Sequence, residues 1–219
     1  MAKTVAKKQP GGIVGTQRAT KKRNAILEAA TEVFLKNGYL GASMDDIAAL
    51  SGVSKQTVYK HFASKDALFV ENVTSANKYA NDAIFKAIQE IDESSDVTEY
   101  LRTYGFRLVT VVLTPRLLRL RRLVIGEANR FPELAKAYYD SGPRTAAEEL
   151  AKTLARMADR SQMVMDDPLF AAFLFIWLTT SGPLNTAMFL GDAAIPQSTE
   201  LRRHVAEVVR VFLSAYARK

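Results

Sequence analysis

Residues 43 to 62, SMDDIAALSGVSKQTVYKHF, restrict the fold more than any other stretch, because they spell two short helices, each with its own cap, joined by a tight turn. Ser43 is placed to cap the first helix, and Asp46 three residues on is placed to reach back and complete a capping box. Ile47 and Ala48 supply the first inward side chains. Gly52 turns the chain, since glycine reaches positive φ at little steric cost, and Val53 after it is positioned to seal the corner against a core. Ser54 caps the second helix, on which Val58 and Phe62 lie four apart and face inward. The opposite face carries Lys55, Gln56, Thr57, Tyr59, Lys60 and His61, donors with little acidic competition. A helix lying in a DNA major groove needs that inventory.

From residue 20 onward apolar residues recur at helical spacing and strand signals are almost absent, so the expected fold class is all-α. Ile26, Ala30, Val33 and Phe34 mark a first helix that should end at Asn37 and Gly38. Ser64 caps a long fourth helix whose inner face runs through Leu68, Val73, Ala76, Ala80, Ala83, Ala87 and Ile91 to the polar run at 94–96. Further helices are expected over about 97–113, in the arginine-rich stretch after Pro115, from Pro132 as a first-turn proline, and over about 144–158, 168–190 and 199–218. Gly142 and Pro143 read as a break between two of them. The domain reading is a basic flexible arm at 1–19, a three-helix DNA-binding domain with its helix-turn-helix at 20–66, and a larger helical domain at 67–219.

Charge separates the arm from the body. The chain of 219 residues carries a net charge of +7, and residues 1–23 hold seven Lys and Arg (Lys3, Lys7, Lys8, Arg18, Lys21, Lys22, Arg23) with no acid. Residues 24–65, by contrast, balance four basic against four acidic side chains. The arm is too poor in apolar residues to fold alone, and its position just before the helix pair suggests phosphate or minor-groove contact. It has no apolar run of the kind a secretory signal needs, and a chain without cysteine fits a reducing compartment, so a cytoplasmic location is expected.

Other function classes find little support. Without cysteine, and with His61 and His204 as the only histidines, neither a thiolate nor a histidine-rich metal site is available, and no cofactor or metal motif is present. His61 has no serine or carboxylate partner at an interpretable spacing, so no catalytic residue is assigned. Pro168 to Gly191 contains no charged residue, a length that would allow a membrane span. Thr179, Thr180, Ser181, Gly182, Pro183, Asn185 and Thr186 interrupt it, however, which favours a buried helix over a membrane helix.

The segment AILEAATEVFLKNGYLGASMDDIAALSGVSKQTVYKHFASKDALF resembles the DNA-binding domain of the TetR-type transcriptional regulators. Phe34, Gly38, Ile47, Ala48, Gly52, Val53, Tyr59, Phe62, Lys65 and Leu68 carry the likeness, with no departure inside the segment. Beyond residue 70 the resemblance is one of layout, although GEANRFPELAKAYYDSGP looks like one common branch of these regulators. The resemblance implies a homodimeric repressor that binds a roughly palindromic double-stranded operator and is released by a small molecule bound in its C-terminal domain. It places Lys55, Gln56 and Thr57 at the start of the recognition helix, with Gln56 as candidate base reader, and Tyr59, His61 and Lys65 as phosphate clamps. Ser43 is also suitably placed for phosphate.

The same resemblance implies dimerisation through the last two helices, burial of the 168–190 helix against a second subunit, and an effector site among the middle helices. Phe106, Val109, Tyr138, Phe173 and Trp177 are the candidate lining. Arg116, Arg119, Arg121 and Arg122 could receive an anionic ligand, although salt bridges to acids such as Glu90, Asp92 and Glu93 are the favoured reading. The alternative to a ligand-released repressor is a DNA-binding architectural or interaction protein without an effector.

Overall fold

The helical periodicity becomes ten α-helices among the residues that the computed structural model describes, which are 12–89, 96–160 and 163–217. No strand occurs among them, only an isolated bridge between Met163 and Ala217. The chain divides into two compact units, Met1–Asn72 and Val73–Lys219. The division falls inside a helix, later than the boundary at residue 66 expected from sequence.

In the first unit, α1 spans Gly12–Gly41 with a break in its dihedrals at Gly38 (φ 71°, ψ 173°). Only glycine enters that region without strain, so the helix turns where the sequence placed its end and resumes briefly beyond. At the other end α1 takes in residues 12–19, which the sequence reading assigned to a flexible arm. Helical hydrogen bonding propagates backward from the packed part of α1, because extending an existing helix avoids the cost of nucleation. The rest of the arm lies outside the described residues. Helices α2 (Met44–Ser51), α3 (Lys55–His61) and the start of α4 (Lys65–Gln89) complete the unit.

Ile26, Phe34, Ile47, Val58, Leu68 and Phe69 are fully buried here. Phe69 meets Phe34 edge-on at 4.6 Å and Tyr39 at 5.1 Å. The buried amide of Asn72 donates to the Leu27 carbonyl at 2.8 Å and to Thr31 Oγ1 at 2.7 Å, tying this turn of α4 to α1. Because Leu68, Phe69 and Asn72 all pack in this unit, the boundary lies beyond them.

The second unit comprises the rest of α4, then α5 (Val97–Val112), α6 (Pro115–Glu127), α7 (Pro132–Tyr139), α8 (Thr145–Asp159), α9 (Pro168–Leu190) and α10 (Ser198–Tyr216). Leu101, Tyr104, Leu150, Leu154, Phe175 and Phe212 are among the fully buried side chains where α5, α8, α9 and α10 meet. A Cβ built on Gly105 of α5 would lie 2.9 Å from Val205 Cγ1 and 3.3 Å from Phe175 Cζ, so the absent side chain is what lets α10 and α9 approach.

Gly142 and Pro143 do not break the chain as expected. A π-turn at Asp140–Arg144 carries α7 straight into α8. The wider turn accommodates the proline ring, and the Thr145 hydroxyl donates to the Asp140 carbonyl at 2.8 Å across it. Proline also shapes α9. Pro183 lacks the N–H that would bond Thr179 four residues earlier, and the Nε2 of His204 on α10 lies 3.0 Å from that freed carbonyl.

Candidate nucleic-acid interface and ligand cavity

The helix pair is held by local hydrogen bonds at each end. The Ser43 hydroxyl oxygen accepts the Asp46 backbone N–H at 3.1 Å, and Ser54 accepts the N–H of Thr57 at 3.2 Å. Gly52 closes α2 at φ 68°, ψ 21°, with its N–H bonded to the Ala49 carbonyl. One detail departs from the expected capping box. The Asp46 carboxylate accepts from the Ser43 hydroxyl at 2.6 Å, so both the oxygen and the proton of Ser43 serve the cap.

On α3, Val58 and Phe62 are buried while Lys55, Gln56, Tyr59 and Lys60 are exposed and Thr57 and His61 half-buried. The polar face is thus presented to solvent on a helix fixed from below. Lys55 pairs with Asp45 at 2.7 Å, and that carboxylate raises its pKa. Both partners are largely exposed, so the pair is weak and open to exchange for a phosphate. Gln56 lies beside it at the start of α3, with the Thr57 and Ser54 hydroxyls 2.8 Å apart.

Lys65, expected as a phosphate clamp, is engaged within the fold. Its ammonium donates to the carbonyls of Tyr39 at 2.9 Å, Ala42 at 3.1 Å and Leu40 at 3.4 Å, and sits 4.7 Å from the centre of the Tyr39 ring. Three N–H donors are thereby matched to carbonyls at the end of α1, where a helix leaves acceptors without partners. The geometry makes Lys65 a cap for α1 rather than a free charge for phosphate. Arg23, counted with the basic arm, is likewise engaged: it pairs with Glu71 and lies 5.2 Å from the Phe62 ring centre. Arg18, Lys21 and Lys22 are exposed on α1, whereas Lys3, Lys7 and Lys8 lie outside the described residues.

The second unit contains a cavity of about 170 Å³. Asn77, Asn81 and Ile84 of α4 form one wall, Leu108 and Val112 of α5 another, and Ile176, Trp177 and Leu184 of α9 a third. Leu117, Arg121 and Tyr138 contribute from α6 and α7. Of the expected lining, Tyr138 and Trp177 border this space. Val109 does not, being fully buried in the helical core. Phe106 and Phe173 pack half-buried against that core instead, Phe106 beneath the Arg202 guanidinium at 3.9 Å and Phe173 against Trp177 at 5.2 Å. Helical spacing puts each of the three on an inward face but does not say whether a neighbour fills the space beyond.

The amides Asn77 and Asn81 were missed by the sequence reading, which treated α4 as an apolar face. Both are buried, and both bond across the π-turn, Asn77 to the Tyr138 carbonyl at 2.8 Å and Asn81 to the Ser141 carbonyl at 3.1 Å. Gly142 is required opposite them, since a Cβ there would sit 2.8 Å from Asn77 Nδ2. Asparagines recurring four apart within an otherwise apolar helix face were the available signal.

Residues 26–71 match the family described as bacterial regulatory proteins, tetR family, and residues 99–218 match the AefR-like transcriptional repressor C-terminal domain. The fold is similar to that of a TetR-family regulator from Mesorhizobium loti MAFF303099, with 36% identity and a TM-score of 0.85 over 92% of this chain and 99% of that one. The flavonoid-responsive regulator FrrA is similar at 28% identity and a TM-score of 0.78, covering 91% of this chain and 99% of its own.

Among curated proteins, IcaR of Staphylococcus aureus, a negative regulator of the icaADBC biofilm operon, is 23% identical over 87% of this chain and 98% of its own length. The activator FasR of Mycolicibacterium smegmatis is 43% identical over 68 residues, a match that spans 30% of FasR. With both units matched in order along one chain, the protein belongs to the TetR family of DNA-binding transcriptional regulators.

Proposed function

We propose that the protein is a homodimeric repressor that reads a roughly palindromic operator with α3 and releases it when a small molecule enters the cavity of the second unit. The observation that carries this reading is α4. One continuous helix supplies Leu68, Phe69 and Asn72 to the packing of the first unit and Asn77, Asn81 and Ile84 to the wall of the cavity. A ligand that displaces those amides acts on the helix whose first turn anchors the DNA-reading unit. Such a ligand shifts the equilibrium only by its differential affinity for the DNA-binding and released states.

The repressor sign is supported by the match of residues 99–218 to a repressor domain and by the full-length likeness to IcaR. The likeness to an activator extends over 68 residues only, 30% of that protein. FrrA lends support to an effector-responsive reading. Dimerisation is assigned to α9 and α10. Trp177, Phe189 and Leu190 of α9 are 51%, 84% and 72% exposed, and Val211 of α10 is 42% exposed. By length and composition α9 could cross a membrane, and a third of its most apolar window is buried within this chain. Burial against a second copy accounts for the remaining apolar face without a bilayer.

In-vitro selection of bound sites from random DNA, followed by affinity measurements across a salt series, tests the reading. A consensus with two-fold symmetry and a linear fall of log K with log salt is expected. A consensus without symmetry contradicts the dimeric reader, and no sequence-selective, salt-dependent binding contradicts the regulator itself.

A further inference from the structure

Three of the four arginines of α6, Arg119, Arg121 and Arg122, meet different partners. Arg122 pairs with Asp192 at 3.0 Å and donates to the Ala187 carbonyl at 2.7 Å, and Arg119 bonds the Pro115 carbonyl at 3.3 Å. The acids Glu90, Asp92 and Glu93, expected to neutralise this cluster, lie outside the described residues. Arg121 borders the cavity, and no other charged residue does so among the described residues. Its guanidinium lies 5.7 Å from the centre of the Tyr138 ring and beside the Tyr138 hydroxyl. A cation near an aromatic ring and its hydroxyl is held in place by neutral groups, and with no acid among the described lining residues its planar fork is available for an anion.

Much of the remaining wall is apolar, from Ile84, Leu108, Ile176 and Trp177, with Asn77, Asn81 and Thr180 as polar neighbours. A volume of about 170 Å³ is close to that of an engineered apolar cavity, ~150 Å³, that admits benzene. The polar group near Arg121 also favours an acceptor, because burial raises the Tyr138 pKa and keeps its hydroxyl protonated as a donor. Among the described residues no carboxylate lines the space to receive a cationic ligand.

We propose that the effector is a small aromatic carboxylate, its carboxyl group paired with Arg121 and the Tyr138 hydroxyl and its ring held between α4, α5 and α9. This rests on the cavity being the effector site of the regulator described above. A guanidinium–carboxylate pair at a partly desolvated site is of the strong, bidentate kind, so charge dominates the selectivity.

The test uses the full-length protein with benzoate, benzamide and benzylammonium as probes of one size and three charges. Binding is followed by Trp177 emission and by calorimetry, on the parent protein and on Arg121→Gln and Arg121→Lys. Benzoate is expected to bind at least about tenfold more tightly than benzamide, the effect of one charge-assisted hydrogen bond. In Arg121→Gln that ratio should fall to within about twofold while benzamide binding is unchanged, and Arg121→Lys should retain part of it.

Equal affinities of benzoate and benzamide for the parent protein, a preference for benzylammonium, or binding of none of the three overturns the proposal without reference to any variant. A benzoate preference that survives Arg121→Gln overturns the assignment to Arg121. Operator binding without ligand is measured on the same preparations. Intact operator binding with no charge preference removes only the effector class, whereas absent operator binding removes the regulator reading.

Discussion

Gln56 and Lys60 share the exposed face of α3 and are expected to fail in different ways. A glutamine amide can bond adenine in a bidentate fashion, so Gln56→Ala should relax preference at one position of each half-site by ~1–3 kcal/mol. Lys60→Ala should instead weaken all sequences alike and reduce the salt slope by about one per half-site. Affinities for the selected operator and for single-base variants of it, at several salt concentrations, separate the two. Lys65 should follow neither pattern. Because its donors serve the carbonyls of Tyr39, Leu40 and Ala42, Lys65→Met should lower the unfolding free energy by ~1.5–3 kcal/mol and leave the salt slope unchanged. A reduced slope at unchanged stability would restore the phosphate-clamp reading. The contrast also shows what the sequence makes legible. The caps at Ser43, Gly52 and Ser54 could be read because donor and acceptor lie within three residues of each other. The partners of Lys65 lie 23 to 26 residues earlier, and only the folded chain brings them together.

Helix boundaries were legible where a cap, a proline or a glycine marks them, as at Pro132 of α7 and Pro168 of α9. The same residues misled where the helix absorbed them. Pro143 sits inside a π-turn whose wider ring accommodates it, and Pro183 sits inside α9, where the missing N–H is met by His204 from α10, a partner that spacing does not reveal. At Pro183 the compensation can be tested directly. The Thr179 carbonyl has lost its intrahelical donor, and His204 Nε2 stands 3.0 Å away in its place. His204→Ala should therefore destabilise the protein by ~1–3 kcal/mol, the penalty for leaving a buried carbonyl without a partner. Pro183→Ala restores an N–H at the right position, so the loss from His204→Ala should be smaller in the Pro183→Ala background. Denaturant unfolding of the parent, both single variants and the double variant gives the coupling. Additive effects would mean that His204 acts through packing alone.

At the scale of the whole molecule, charge and apolar surface mark different tasks. The helix pair and its scaffold are neutral over residues 24–65, so the sequence selection proposed for α3 would rest on the placement of Gln56 and its neighbours, while the surplus positive charge sits earlier in the chain. Burial of α9 is expected from the polar and small residues that interrupt its uncharged length and from the family resemblance, but the sequence does not say which of its residues the chain itself covers. Phe175 and Ile176 face the core, and Trp177, Phe189 and Leu190 do not. An exposed apolar surface of this kind fits the proposed dimer, which sets a second copy across it to read a two-fold symmetric site. Phe189→Glu tests this at a side chain that is 84% exposed and so contributes little to the fold of one subunit. The expected result is a monomer by sedimentation velocity with an unchanged far-ultraviolet spectrum. Binding to a full operator should fall to that of an isolated half-site, because the second α3 no longer benefits from the effective concentration that the dimer provides. A dimer that persists through Phe189→Glu would move the interface away from the end of α9, and full-operator affinity retained by a monomer would show that the two recognition helices act independently.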